Sequence, residues 1–171
     1  MKKKYLFIAF LYLFLSSSLP LTSQVVSVAS IESKHQEKMP SDVTLYFENA
    51  VLDFFFNEGL ILTSLPYLKA DKDEYEKYGS SSFFFDTEPD YLLIVYFIYD
   101  TPKRYDTSTR TNLLPCKKIC CKLLKTKGNL ELYKDEFLLD SISHGMGIFR
   151  KVDVCLSTIK SKVIDAIRRN K

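Results

Sequence analysis

The sequence predicts an α+β domain of the open α/β kind, with a mixed sheet of about four to five strands packed by an N-terminal and a C-terminal helix. Three observations carry this. Phe47, Ala50, Val51, Phe54 and Phe55 fall on one helical stripe. Asp90 to Asp100, DYLLIVYFIYD, is apolar on both faces and rich in β-branched and aromatic residues, as a central strand covered on both sides reads. Ile148, Val152, Cys155, Ile159, Val163 and Ile167 recur at spacings of three and four, the stripe of an amphipathic closing helix. Helices at both ends and strands between them give the class.

The elements follow in chain order. Met1 to Ser23 reads as a secretory signal peptide: Lys2, Lys3 and Lys4 supply the positive start, and Tyr5 to Leu15 is an unbroken apolar run of eleven residues. Ser16 to Ser18 and Pro20 then end the helix, with cleavage expected after Ser18, Ser23 or Ala29. The alternative is an uncleaved anchor, although three serines and a proline sit badly in the ~20 apolar residues a spanning helix needs. Residues 24–40 (QVVSVASIESKHQEKMP) are polar and mixed, and are expected to be a flexible tether ahead of a single globular domain at 41–171. Ser41 or Asp42 can cap a helix over about 43–58, which Gly59 ends. Leu60 to Thr63 reads as a short strand stopped by Pro66, residues 69–78 as a charged helical stretch, and Phe83 to Asp86 as another short strand. After the central strand comes a hairpin, Cys116 to Thr126 and Leu130 to about Phe137, turning at Lys127-Gly128-Asn129.

Charge and composition narrow the function classes. The chain carries 24 Lys+Arg against 21 Asp+Glu, but three of the lysines lie in the leader, so the part after Ser23 is balanced at 21 against 21. A nucleic-acid binder needs a basic surplus or face, and bulk charge supplies none. Hydrophobic content of 46% and aromatic content of 14% are too high for disorder. The mature part is expected to be soluble, periplasmic or secreted, with membrane contact only through the N-terminal segment if that is uncleaved.

Candidate chemistry is sparse. Export permits disulfides, and there are four cysteines. On a strand, Cys116 and Cys120 share a face about 13 Å apart at ~3.3 Å per residue, too far for a disulfide or a metal clip. Cys121 points inward, as does Cys155 on its helix, so Cys121–Cys155 is the bridge that geometry permits; buried free thiols acting as small hydrophobes are the other reading. Lys117, Lys118, Lys122, Lys125 and Lys127 make the hairpin basic, either a surface for an anionic envelope polymer or a guard against edge-to-edge aggregation. A thiol enzyme needs a base beside its cysteine. Only His35 and His144 exist, the latter in Ser-His-Gly-Met-Gly at the mouth of the last helix, where glycines can expose N–H groups to an anion. Asp71 and Asp73 lack the glycine and glutamate of a calcium loop. No nucleophile elbow, carboxylate pair or zinc signature is present, and no cofactor is implied.

From Ser41 onward the pattern of FENAVLDFFFNEGLILTS, DYLLIVYFIYD, KICCKLLKTKGNLELY and the closing helix resembles the small envelope domains of the peptidoglycan-synthase activator lipoproteins, the curli-secretion lipoproteins and the TolB N-terminal domain. The resemblance implies a partner-binding envelope domain and transfers no site residues. The chain departs from those lipoproteins in having no cysteine near the leader's exit for acylation. The expectation is an exported, non-enzymatic envelope protein that binds another envelope protein or polymer through its sheet edge or basic hairpin. The alternatives are a small envelope enzyme using Cys120 or His144, and a membrane-tethered structural protein.

Overall fold

In the computed structural model, the described residues are 24–34, 40–99, 116–142 and 145–170. The leader 1–23, His35 and His144 lie outside them. A single mixed sheet runs in the order β2-β1-β4-β5-β6, formed by β1 (Val25–Ser33), β2 (Ile61–Ser64), β4 (Tyr91–Tyr99), β5 (Cys116–Lys125) and β6 (Leu130–Leu138). A short β3 (Leu68–Ala70) continues the β2 edge along the far half of β1. β2, β3 and β4 are all parallel to β1, β5 is antiparallel to β4, and β6 is antiparallel to β5. Two long helices, α1 (Asp42–Asn57) and α3 (Ile148–Arg169), cover one face; α2 (Lys72–Lys77) and the stretch leading to β4 cover the other.

The tether expected at 24–40 is corrected. Its first part is β1, which lies between β2 and β4 and is buried along most of its length. Val26 and Val28 pack toward α1 and α3, Ala29 and Ile31 toward α2. The serines that made this stretch look like a linker are satisfied by neighbours: Ser27 Oγ bonds Thr63 Oγ1 at 2.6 Å, and Ser30 Oγ donates to Glu48 Oε2 at 2.6 Å. A small hydroxyl with a partner is cheap to bury.

The other elements fall where their patterns put them, with two further corrections. The segment 83–86 is no strand: Phe83 and Phe85 are ring anchors in the core beneath α2, after a 3₁₀ turn at Ser80–Ser82. β3 was not foreseen. α1 is capped by Ser41, whose hydroxyl accepts from Thr44 N–H at 3.3 Å, and ends at Gly59 with φ of 79°, a backbone state glycine enters freely. Along β4, Tyr91, Leu93, Val95, Phe97 and Tyr99 face the long helices, and Leu92, Ile94 and Tyr96 face α2. Both sides are dry, which is why the strand is apolar throughout. No helix among the described residues is long and apolar enough to cross a membrane.

Candidate functional site

The basic hairpin does not present its lysines as one surface. Lys122 is buried: its ammonium donates to the carbonyls of Tyr75 at 3.0 Å and Glu76 at 3.3 Å at the end of α2, and sits 4.9 Å from the centre of the Tyr75 ring. Burial lowers its pKa. Lys118 pairs with Glu136 on β6. Lys125 donates to Asn170 O at 2.8 Å, a cation at the C-terminal end of α3, where the helix dipole favours it. Lys117 and Lys127 are exposed, one at the register shift that opens β5 and the other in the hairpin turn. The expected anionic-partner surface is therefore corrected to an internal role for Lys122 and Lys125 and a cross-strand pair for Lys118.

The cysteines also change company. Between Ile98–Lys118 and Tyr99–Cys116 the register shifts, and Lys117 is the extra residue. This bulge turns Cys116 onto the same face as Cys121 and away from Cys120, overturning the shared face that regular alternation predicts. All four thiols are free and buried, so the Cys121–Cys155 bridge is not formed, although both residues line the core beneath α3. Burial pushes Cys116 and Cys121 up to about 12 and Cys120 and Cys155 up to about 11. A thiol held protonated is a poor nucleophile. Among the described residues no group of three or more His, Cys, Asp or Glu side chains is placed to hold a metal ion.

A polar centre that the sequence did not suggest lies at the carboxyl ends of β1 and β4, under the first turn of α1. Glu32 is fully buried there. Its Oε1 accepts from Ser41 N–H at 2.8 Å and from the Thr44 hydroxyl at 2.5 Å, and its Oε2 accepts from the Tyr67 hydroxyl. Three donors thus converge on its two oxygens beside the first turn of α1. Thr44 gives its one proton to Glu32, so in the 2.8 Å contact between Thr44 and Tyr99 the tyrosine donates; Tyr99 in turn accepts from Ser41. The hydroxyls thus form a directed chain, Ser41 to Tyr99 to Thr44 to Glu32. Burial and the neighbouring Cys116 raise the Tyr99 pKa, keeping it a neutral donor. In open α/β sheets this position, where crossovers leave a strand in opposite directions, is a common ligand crevice. Here it is filled by the protein's own hydroxyls and fastens β1 to α1.

The sheet has two unlike edges. One is made of β2 and β3, four and three residues long and separated by Pro66. The other is β6, nine residues long, which among the described residues pairs with β5 alone. Its outer positions mix Glu131, Lys134, Glu136 and the exposed Leu138. Lys134 is tied to Glu76 at 2.6 Å and Glu136 to Lys118, so both side chains are drawn back over the α2 side of the sheet.

No curated protein sequence matches the chain. Among solved structures it is similar to the hypothetical protein CT253 from Chlamydia trachomatis, at 11% identity over 84% of this chain and 99% of that one, with a TM-score of 0.45. It is also similar to lipoprotein GNA1162 from Neisseria meningitidis, at 8% identity over 82% and 96% of the two chains and a TM-score of 0.41. A third is the PelC dodecamer from Paraburkholderia phytofirmans, at 16% identity over 82% and 85% and a TM-score of 0.36. A lipoprotein is thus among the solved chains that this one is similar to. A family model described as "Uncharacterised protein" matches residues 25–168, from the first residue of β1 to the last turn of α3, and the chain belongs to that family.

Proposed function

We propose that this is an exported, non-enzymatic protein of the cell envelope, periplasmic or secreted, that binds another envelope component along the free edge of β6. The observation that carries the reading is the edge itself: nine residues of strand with one partner among the described residues, beside an opposite edge that is short and broken. An extended segment of a partner can add to such an edge, with backbone hydrogen bonds giving affinity and alternate side chains giving selectivity. The charged side chains on it disfavour indiscriminate pairing of copies. The leader pattern at Met1 to Ser23 supports export, and the balanced charge after it supports a protein or neutral polymer partner over nucleic acid. The buried, protonated state of the Cys120 thiol weighs against the enzyme alternative.

The test is crosslinking in cells from single photoreactive residues placed at Glu131 and Leu138 on β6 and at Val154 on the outer face of α3, all exposed. The expected result is an adduct of one defined mass from the β6 positions and none from Val154. Adducts from Val154 alone, or the same adducts from all three, would remove β6 as the binding edge.

A further inference from the structure

The backbone of β6 shows what an added strand meets. In an antiparallel ladder a strand turns alternate N–H and C=O groups toward its partner and the ones between away from it. Asp135 stands opposite Cys121 on β5 and Glu136 opposite Cys120. The N–H of Glu136 does not wait for a strand: it donates to the side chain of its own neighbour, Asp135 Oδ1, at 2.8 Å. A donor taken in this way is one that β5 leaves over, so the Glu136 N–H belongs to the outward row of the edge.

The covering carboxylate is itself held. Its other oxygen, Oδ2, accepts from the Tyr133 hydroxyl at 3.2 Å. Tyr133 and Phe137, on either side of Asp135 on this face of β6, pack against the core beneath the long helices. Burial raises the Tyr133 pKa, so its hydroxyl stays a donor. Asp135 thus occupies the place at the rim that the carbonyl of an incoming strand would take. An edge strand closed by its own carboxylate resists casual pairing.

A second copy of β6 is a poor occupant. Two-fold antiparallel pairing centred on Lys134, Asp135 or Glu136 sets that charge directly against its own like, which is destabilising. A different extended polypeptide meets no such bar, and one of its positions is specified by charge. With the Glu136 N–H directed outward, Asp135 falls in a non-hydrogen-bonded pair with an added antiparallel strand, where Cα atoms are about 4.5 Å apart and side chains lie closest. A Lys or Arg at that position receives Oδ1 as it leaves the Glu136 N–H, while Tyr133 keeps Oδ2. An acidic residue there repels the carboxylate instead.

We propose that Asp135 gates the β6 edge: it covers the Glu136 N–H in the unbound protein and turns to a cationic side chain of the extended polypeptide segment that binds. This gate presupposes the β6 binding edge proposed above and adds the chemistry of the partner.

The test uses the full chain, labelled with ¹⁵N, and two short end-capped synthetic strands of alternating Thr and Val that differ only in a central Lys or Glu. Affinities are read from amide shifts of Lys134, Glu136 and Leu138. Asp135→Asn keeps the cover, because its amide oxygen still accepts the Glu136 N–H, but loses the charge; Asp135→Ala loses both. The expected result is roughly fivefold tighter binding of the Lys strand by the unmodified chain, and no preference in either variant. The Ala variant should bind both strands about threefold more tightly than the Asn variant, since it has no cover to displace. Equal affinities for the two strands, a preference that survives Asp135→Asn, equal binding by the Asn and Ala variants, or no binding at all would overturn the gate. Adducts from β6 in the crosslinking experiment above, together with any of these results, would leave β6 as the binding edge while removing Asp135 as its gate.

Discussion

Replacing Glu32 by alanine should be among the most damaging single changes in the described domain. The carboxylate is fully buried and receives Ser41 N–H, the Thr44 hydroxyl and the Tyr67 hydroxyl. On its removal Thr44 can turn its proton to Tyr99 and Tyr67 can rotate, but Ser41 N–H is fixed in the first turn of α1 and has nowhere to go. A buried donor left unsatisfied costs about 1–3 kcal/mol, and the deleted side-chain volume adds a cavity term. The sum is roughly 3–5 kcal/mol, within the range that breaking a buried hydrogen-bond network reaches. At about 2–4 °C per kcal/mol for a domain of this size, the midpoint should fall by on the order of 10 °C. Glu32→Gln is the control. Its oxygen can keep Ser41 and Thr44 while its amide donates to a rotated Tyr67, so the loss should be nearer 1 kcal/mol. Equilibrium urea unfolding followed by far-UV circular dichroism reads both. A Glu32→Ala loss below about 1 kcal/mol, or equal losses for the two variants, would refute the reading of this centre as the fastening between β1 and α1.

Other expectations are simpler. All four thiols should resist a thiol reagent near neutral pH in the native protein and react together once it is unfolded in guanidinium; fast native reaction of Cys120 would revive the enzyme alternative. Because the folded pKa values of these thiols, about 11 to 12, exceed the ordinary 9, their contribution to stability is full below about pH 9 and is lost as pH rises through 11 to 12. Lys122, with its pKa lowered, works in the opposite sense below its ordinary 10.5, so Lys122→Met should steepen the alkaline fall. Tyr75→Phe removes a buried hydroxyl that has no hydrogen-bond partner among the described residues and should stabilise the fold by about 1 kcal/mol by thermal unfolding, with the ring stack on Tyr96 retained. Gly59→Ala meets open space but a φ of 79°, and should cost about 1–2 kcal/mol from backbone strain alone.

Elements with a periodic apolar signature were legible in the sequence. α1, β4, the hairpin and α3 each bury one stripe or two faces of large side chains, and the pattern survives without knowledge of neighbours. β1 was not legible, because Ser27, Ser30 and Glu32 carry the signature of a linker until Thr63, Glu48, Thr44 and Tyr67 are placed beside them. The polar centre was hidden for the same reason: its carboxylate lies in the stretch read as a tether. The lysines misled in a different way. Lys122 looks like a solvent-facing position by alternation, but α2 folds over that face of β5 and its last carbonyls receive the ammonium. Cys116 was misplaced by a single extra residue, Lys117, which no periodicity announces. The free edge of β6 became visible only with the strand order, since a hairpin strand can as well lie inside a sheet as at its rim.

The central claim is an exported domain whose first element is β1. N-terminal sequencing of the protein recovered from each cell fraction tests it most directly. The account predicts protein in the envelope or the medium with Val25 and everything after it intact, which fits cleavage after Ser18 or Ser23. Recovery from the cytosol alone, or a mature chain beginning at Ser30, within the buried strand, would contradict it.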